Sequence, residues 1–210
     1  MKFKRILLCA LLISLPILSM TNIIDSSYSH NNKNEVEMCK DSIQQIDSVK
    51  LYELTLNLRK DSLKNELINE TNRYINSITQ KAHDSLPKFL VENALIHNID
   101  IMFMLAQTQI ETIFGTVGAG RESSRRSLFG IAIRKYTNYE HAINDYCKLL
   151  KKSYLTKGRT EHHLMRKYTT TRGGRYAENP NYENELRNTY NQISRITRLK
   201  HLQEEYKLID

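Results

Sequence analysis

Apolar residues recur at helical spacing along most of the chain, and this pattern predicts its elements. Residues 35–81 are polar overall but carry apolar residues at mostly three- and four-residue intervals, which is typical of an amphipathic helix. Residues 101–114 are apolar on nearly every side, which predicts a central buried helix. Shorter helices are predicted at residues 87–95, 139–150, 160–168 and 179–199. Because no segment shows sustained strand alternation, we expect a mainly α fold.

Several helix ends carry capping or breaking signals. Thr137 and Glu140 have the spacing of a capping box in front of the helix at 139–150. Asn179 followed by Pro180 predicts an N-cap and a first helical residue. The buried helix is expected to end in a glycine-rich loop that contains Gly115, Gly118 and Gly120.

The first twenty residues differ from the rest of the chain. Three basic residues within the first five precede an apolar run, Ile6–Leu18, and polar residues follow from Thr21, which is the pattern of a secretory signal peptide. As a helix, the run would extend about 20 Å against roughly 30 Å of membrane hydrocarbon, which favours a cleaved signal over an anchor. We therefore divide the chain into a signal peptide (1–21), a flexible spacer (22–34), a helical N-terminal segment (35–83), a main domain (84–200) and a C-terminal tail (201–210).

Charge and cysteine content narrow the choice of partners. The full chain carries a net charge of +8, and loss of the three basic residues of the signal leaves about five excess positive charges. This indicates an anionic partner, and secretion favours a wall polymer or membrane surface over nucleic acid.

Cys39 and Cys147 could pair in an extracytoplasmic compartment. Cys147 also lies on the apolar face of its helix, where a buried free thiol is equally natural.

The sequence alone does not identify the function of residues 35–83. They are interpreted as a helical stalk or as a hairpin packed on the main domain. A coiled coil that binds a protein partner is the alternative, although the heptad register breaks near Lys60. We expect the chain to be a monomer.

One carboxylate, Glu111, stands near the end of the buried helix. Gln107 and Thr108 precede it by one turn and Gly115 follows it by four residues, so small or polar residues share its face. A carboxyl group there should resist ionisation, because burial and the negative end of a helix both disfavour its charge. A carboxylic acid that stays protonated can serve as the general acid of a glycosidase. We predict that Glu111 projects into a cleft floored by Gly115.

Four motifs follow one another in the second half of the chain. Residues 106–115 read AQTQIETIFG, residues 127–131 read SLFGI, and residues 176–182 read YAENPNY. The helix between the last two carries Tyr139, Ala142, Asp145 and Tyr146. In this order, over roughly Pro87 to Leu199, they resemble the glucosaminidase domain of glycoside hydrolase family 73, the mannosyl-glycoprotein endo-β-N-acetylglucosaminidase-like group of autolysins and flagellar-type hydrolases.

The resemblance implies a lysozyme-like α fold and hydrolysis of the β-1,4 bond between N-acetylglucosamine and N-acetylmuramic acid in peptidoglycan. By motif, it assigns Glu111 as the general acid and Tyr176 as the aromatic residue beside the scissile bond. The ring of Tyr182, in the first turn of a helix, is expected to pack mainly against the core. Substrate-binding positions implied by the motifs are Gln107, Phe114, Phe129, Gly130 and Tyr182.

The chain departs from the family pattern at two places. Phe114 stands where members usually carry tryptophan. Many members also have a second carboxylate in a hairpin after the second motif, whereas residues 131–139 contain no acid. Glu122 and Glu140 are the candidates for a second acid, and Glu140 has the alternative role of capping-box partner. We favour attack by the acetamido group of the substrate, with Glu111 as acid and then base.

Metal and cofactor chemistry have little support in the sequence. There is no His-Glu-x-x-His motif, no paired Cys-x-x-Cys and no phosphate-binding glycine loop, and adjacent His162 and His163 would diverge on a helix. We expect no cofactor and no metal, with peptidoglycan glycan strands as the partner and a periplasmic or extracellular, wall-associated location. A muramidase or lytic transglycosylase on the same fold and a catalytically weak wall-binding or assembly protein are the alternatives.

Overall fold

The computed structural model describes residues 33–122, 126–130 and 135–209, with side chains from Ser48 onward. The predicted signal peptide and almost all of the predicted spacer lie outside the described residues. The described helices are α1 (Lys33–Ile78), α2 (Leu86–Ile96), α3 (Ile101–Thr112), α4 (Gly118–Arg121), α5 (Tyr139–Leu149), α6 (Glu161–Leu164), α7 (Tyr182–Ile196) and α8 (Leu199–Ile209).

The mainly α prediction is confirmed. The described residues form no strand, although Thr169 and Arg175 pair in an isolated antiparallel bridge. A π-helical turn, Leu150–Tyr154, continues α5. None of the helices in this part of the chain is long and apolar enough to cross a membrane.

The chain divides into two units, with the boundary between Leu54 and Thr55 inside α1. In the first unit, the described side chains include several large apolar ones that are about half exposed or more. These are Val49, Leu51, Tyr52 and Leu54. The second unit contains α2 to α8 and the rest of α1.

The core of the second unit is built around α3. Every residue from Ile101 to Thr108 is buried, because the helix is apolar nearly all round and contacts α2, α7 and α8 on different sides. The end of α1 belongs to the same core, since Leu63, Leu67 and Ile75 are at most 1 % exposed. Burying each such side chain stabilises the fold by about 1.5–3 kcal/mol. The prediction of a central buried helix is confirmed.

Two helix starts differ from the sequence prediction. Asn138, not Thr137, caps α5, because its Oδ1 accepts a hydrogen bond from the His141 backbone N–H at 2.8 Å. The predicted capping box with Glu140 is therefore wrong. Helix α7 begins at Tyr182 rather than after Asn179, because the Asn179 side chain accepts from the backbone N–H of Asn181 at 2.9 Å and forms a turn before the helix.

The end of the chain also differs from the prediction of one helix up to residue 199. Thr197 adopts an extended backbone conformation (φ −125°, ψ 160°) and ends α7 at Ile196. The residues expected to form a tail continue as α8, in which Leu202 and Gln203 are buried. The short helix predicted at 160–168 ends at Leu164.

Candidate active site

Glu111 lies in the last turn of α3 and its carboxyl group is partly buried. Burial raises the pKa of this carboxyl above its ordinary value, as expected from the sequence. The Tyr182 hydroxyl donates a hydrogen bond to Glu111 Oε1 at 2.7 Å and offsets part of that rise, because the bond stabilises the charged form. The side chain thus combines a tendency to stay protonated with a fixed orientation.

Gly130 forms the wall against which the Glu111 carboxyl packs. A Cβ atom at this position would lie 2.9 Å from Glu111 Cδ and still closer to Oε2, so no larger residue fits without moving the carboxyl. Its φ of +68° also favours glycine. The prediction that Gly115 floors the cleft is wrong, because a Cβ there would meet Leu128 and Tyr139 instead.

Thr112 connects the end of α3 to the segment that carries Gly130. Its hydroxyl donates to the Leu128 carbonyl at 3.0 Å and accepts from the Gly115 backbone N–H at 3.0 Å. The Tyr139 hydroxyl donates to the Gly120 carbonyl at 3.0 Å and fixes the same loop from α5. The residue next to Glu111 therefore helps to hold its wall in place.

Two tyrosines of the last motif have different hydroxyl partners. Tyr176 donates to the backbone carbonyl of Phe129, and its ring stacks on Tyr168 with centroids 4.3 Å apart. Tyr182 is 4 % exposed, so its ring does pack against the core, but its hydroxyl reaches Glu111. Burial raises the pKa of both hydroxyls, so both stay protonated. The catalytic role assigned to Tyr176 stays a prediction.

Three side chains that were expected to bind substrate are buried. Gln107 is fully buried and Phe114 is 1 % exposed, with its ring edge-on to Tyr74 at 6.2 Å. Phe129 is 2 % exposed and stacks on Tyr146 with centroids 3.6 Å apart. In this conformation none of the three side chains forms the surface of the site. Motif spacing gives the order of residues along the chain but not the side of each residue that faces the cleft.

The two candidates for a second acid lie at exposed positions. Glu122 follows α4 directly, and Glu140 lies in the first turn of α5. Glu140 lines a surface groove of about 990 Å³ together with Lys64, His97 and Tyr206, and Glu111 does not line this groove. The segments 123–125 and 131–134, which flank the site in sequence and lie outside the described residues, contain no acidic residue.

Ligands for a metal ion do not come together in the described residues, where no three His, Cys, Asp or Glu side chains form a group that could hold one. Cys147 is a buried free thiol with its Sγ 3.9 Å from the Met104 sulfur. Burial raises the pKa of the thiol to about 12, so it is not a nucleophile at neutral pH. The side chain of Cys39 lies outside the described part.

Sequence reasoning missed the aromatic cluster behind Glu111. It consists of Phe129, Tyr146, Tyr154, Tyr168, Tyr176 and Tyr182, whose rings contact one another in stacked, tilted or edge-on pairs. The available signal was compositional, since the chain has twelve tyrosines and no tryptophan. Composition could not show that these rings come together, or that the Tyr182 hydroxyl reaches Glu111.

Comparison with known proteins places the chain in a family. No curated protein matches the sequence significantly. The model of the glucosaminidase family, described as mannosyl-glycoprotein endo-β-N-acetylglucosaminidase, matches residues 88–195, just over half of the chain. The matched region runs from α2 to the last turn of α7, and it contains Glu111, Gly130 and both tyrosines of the last motif. The resemblance seen in the four motifs is thereby confirmed, and the chain belongs to the glucosaminidase family.

Proposed function

We propose that this chain is a secreted peptidoglycan hydrolase that cleaves the β-1,4 bond between N-acetylglucosamine and N-acetylmuramic acid, with Glu111 as general acid. The observation that carries the proposal is the Glu111 carboxyl itself, packed on Gly130 with its pKa raised by burial, in a chain of the glucosaminidase family. A carboxyl group with a raised pKa stays protonated over a wider pH range, and in that form it can protonate the leaving oxygen of a glycoside.

The hydrogen bond from Tyr182 supports Oε2 as the oxygen of Glu111 that delivers the proton. Oε1 accepts from the Tyr182 hydroxyl, so in the neutral acid the proton resides on Oε2. Oε2 is the carboxyl oxygen that packs most closely on Gly130. Proton transfer from Oε2 to the glycosidic oxygen leaves a Glu111 carboxylate, which the Tyr182 hydroxyl then stabilises.

The second chemical step is assigned to the substrate. Three observations support this choice. Glu122 and Glu140 lie at exposed positions, and Glu140 lines a separate groove. Segments 123–125 and 131–134 contain no acidic residue. The acetamido oxygen of N-acetylglucosamine attacks the anomeric carbon as the glycosidic bond breaks and forms a cyclic oxazolinium ion, which keeps the amide proton on its nitrogen. The Glu111 carboxylate next takes a proton from a water molecule whose oxygen bonds to the anomeric carbon. The bond from that carbon to the acetamido oxygen breaks, the amide re-forms, and a reducing N-acetylglucosamine end is left.

The setting of the reaction is proposed from sequence features. The signal pattern of residues 1–21 supports a periplasmic or extracellular, wall-associated location. The excess of positive charge suits an anionic wall polymer as partner. We propose that the chain acts as a monomer on glycan strands, and that residues 35–83 are the segment available to a protein partner.

Digestion of purified peptidoglycan sacculi, with mass spectrometry of the new reducing ends, tests the reaction. Reducing N-acetylglucosamine ends are expected. Reducing N-acetylmuramic acid ends would identify a muramidase instead, and anhydro ends a lytic transglycosylase. Binding to sacculi without any product would identify a wall-binding protein.

The assignment of the second step has its own check. A thiazoline analogue of the cyclic intermediate should inhibit, and Glu122→Gln and Glu140→Gln should each retain at least about a tenth of the activity, a cost of no more than about 1.4 kcal/mol in the barrier. Loss of turnover in Glu122→Gln with an unchanged thermal midpoint would show that the loop after α4 supplies a second acid.

A further inference from the structure

We infer that Gln107 is a positioning residue of this site, which holds the Phe129–Gly130 wall against Glu111 through two stacked aromatic pairs. The catalytic consequence of this inference rests on the proposed function, whereas its structural part does not. Gln107 lies one helical turn before Glu111 on the same face of α3 and is fully buried. It therefore cannot act by touching the substrate in this conformation.

The amide oxygen of Gln107 joins two tyrosines. Oε1 accepts hydrogen bonds from the hydroxyls of Tyr146 and of Tyr168, the latter at 3.1 Å, and these two hydroxyl oxygens are 2.9 Å apart. Among the described residues, the amide Nε2 has no partner at hydrogen-bond distance and angle. The Gln107 side chain also acts on the Tyr176 hydroxyl, where it opposes the rise in pKa that burial causes. The oxygen is thus the atom that organises the rings.

The two tyrosines stack on different rings: Tyr146 on Phe129, which is part of the wall, and Tyr168 on Tyr176, which is hydrogen-bonded to the wall. The Tyr146 ring stacks on Phe129, with centroids 3.6 Å apart and planes 8° from parallel. The Tyr168 ring stacks on Tyr176, with centroids 4.3 Å apart and planes 7° from parallel, and the Tyr176 hydroxyl donates to the Phe129 carbonyl. Both routes from Gln107 therefore end at Phe129, one at its ring and one at its backbone.

Phe129 is directly followed by Gly130, the residue in contact with Glu111 Oε2. Buried hydroxyls that lose their acceptor must find another partner, because leaving one unpaired costs about 1–3 kcal/mol. Without the Gln107 oxygen, the two tyrosine rings would rotate or shift, and the stacked partners would move with them. The wall would then withdraw from Glu111 and admit water to the carboxyl.

The Glu111 pKa reports this movement because its main determinant is burial. Among the described residues, Tyr168, Tyr176 and Tyr182 are titratable side chains that interact electrostatically with Glu111. Burial raises the pKa of all three hydroxyls, so they remain neutral while the carboxyl titrates. Titration of these three hydroxyls therefore does not contribute to a change in the Glu111 pKa, whereas burial and the Tyr182 hydrogen bond do.

The test is the replacement Gln107→Met, which has a similar volume and no acceptor oxygen. The pKa of Glu111 is measured from the ¹³C chemical shift of its carboxyl carbon, assigned by the loss of that signal in Glu111→Gln. We expect the Glu111 pKa to fall toward the ordinary carboxyl value, because water reaches the group. We also expect the rate of reducing-end release at saturating sacculi to fall about tenfold or more.

Gln203→Met is the matched control. Gln203 is also a buried amide, and it accepts from the Ile101 backbone N–H at 3.0 Å and donates to the Ile99 carbonyl at 2.7 Å, at the other end of α3. Its loss should reduce the free energy of unfolding but leave the Glu111 pKa and the rate per folded molecule unchanged. A merely structural role of Gln107 would make the two variants behave alike.

An unchanged Glu111 pKa in folded Gln107→Met overturns the inference. If Gln107→Met does not fold, Tyr168→Phe replaces it, because this variant removes one hydrogen bond to the amide and keeps the ring stack. A smaller shift of the Glu111 pKa in the same direction is then expected, and no shift overturns the inference. If the wild-type chain releases no reducing ends, the proposed function fails, but the titration still decides the role of Gln107.

Discussion

The two ends of α3 serve different purposes within one helix. At the start, Asp100 Oδ1 accepts from the Met102 and Phe103 backbone N–H groups at 2.8 and 3.3 Å, and the Gln203 side chain accepts from Ile101. The Tyr190 hydroxyl donates to the other Asp100 oxygen at 2.7 Å. Backbone donors that a helix start leaves unpaired are thus satisfied, which is an arrangement that stabilises the fold.

At the other end, local stability is reduced to place a reactive group. Ile113 and Phe114 both have left-handed backbone angles, with φ of 46° and 56°, and such a conformation costs a β-branched residue about 1–2 kcal/mol. Glu111 is held where burial opposes its ionisation. The start of α3 thus has its backbone donors paired, whereas its end carries unfavourable backbone angles next to Glu111, where the chemistry is proposed.

The largest effect on activity is expected from Glu111→Gln. Glutamine keeps the oxygen that accepts from Tyr182 but cannot deliver a proton, so hydrolysis should fall about 10² to 10⁴-fold. Because the folded-state pKa of Glu111 is raised, the wild type loses stability as the pH rises from the ordinary carboxyl pKa through the raised one. The variant should therefore be at least as stable at pH 7 by urea denaturation. Near-wild-type activity would remove Glu111 from its proposed role.

Gly130→Ala should have the next largest effect. The added Cβ would overlap the Glu111 carboxyl and displace it, and a misplacement of about 1 Å can cost roughly 10²-fold in rate. Gly158→Ala is the matched control, because Gly158 has a similar φ of +74° and no atom within 4 Å of the Cβ position. Both variants carry the backbone cost of about 1–2 kcal/mol. Equal rates in the two variants would show that Gly130 does not position the carboxyl.

These two positions also show how far the sequence alone could lead. The all-round apolar pattern located α3, and the glycine-rich loop after it pointed to Glu111. The sequence suggested Gly115 as the glycine that Glu111 faces, because it is four residues away, whereas Gly130 takes this place through a loop held by Thr112. The bond from Tyr182 joins residues 71 apart. Contacts of this kind depend on how helices and loops pack together. Periodicity and capping signals describe only residues that are close along the chain, so they could not predict these contacts.

Tyr182→Phe should have a smaller effect, visible mainly in the pH profile. The Tyr182 hydroxyl lowers the Glu111 pKa against burial, so its removal should raise that pKa further. A general acid must be protonated to act, and the alkaline limb of kcat/KM should therefore move to higher pH. This direction is opposite to that expected for Gln107→Met. Tyr190→Phe is the control, because it removes a tyrosine–carboxylate hydrogen bond at the start of α3, and it should leave the alkaline limb of kcat/KM unchanged. A shift to lower pH in Tyr182→Phe would contradict the assigned bond.

Asp100→Ala should leave turnover unchanged and affect stability alone. The replacement removes the cap of α3 and the acceptor of the Tyr190 hydroxyl, which together should lower the free energy of unfolding by about 1–2 kcal/mol. Asp100→Asn should lose much less, because its amide oxygen can still accept at the helix start. Denaturant unfolding followed by circular dichroism measures the loss, and the initial rate per folded molecule is compared below the unfolding transition. Because the start of α3 is about ten residues from Glu111, a fall in that rate would mean that both ends of the helix position the acid.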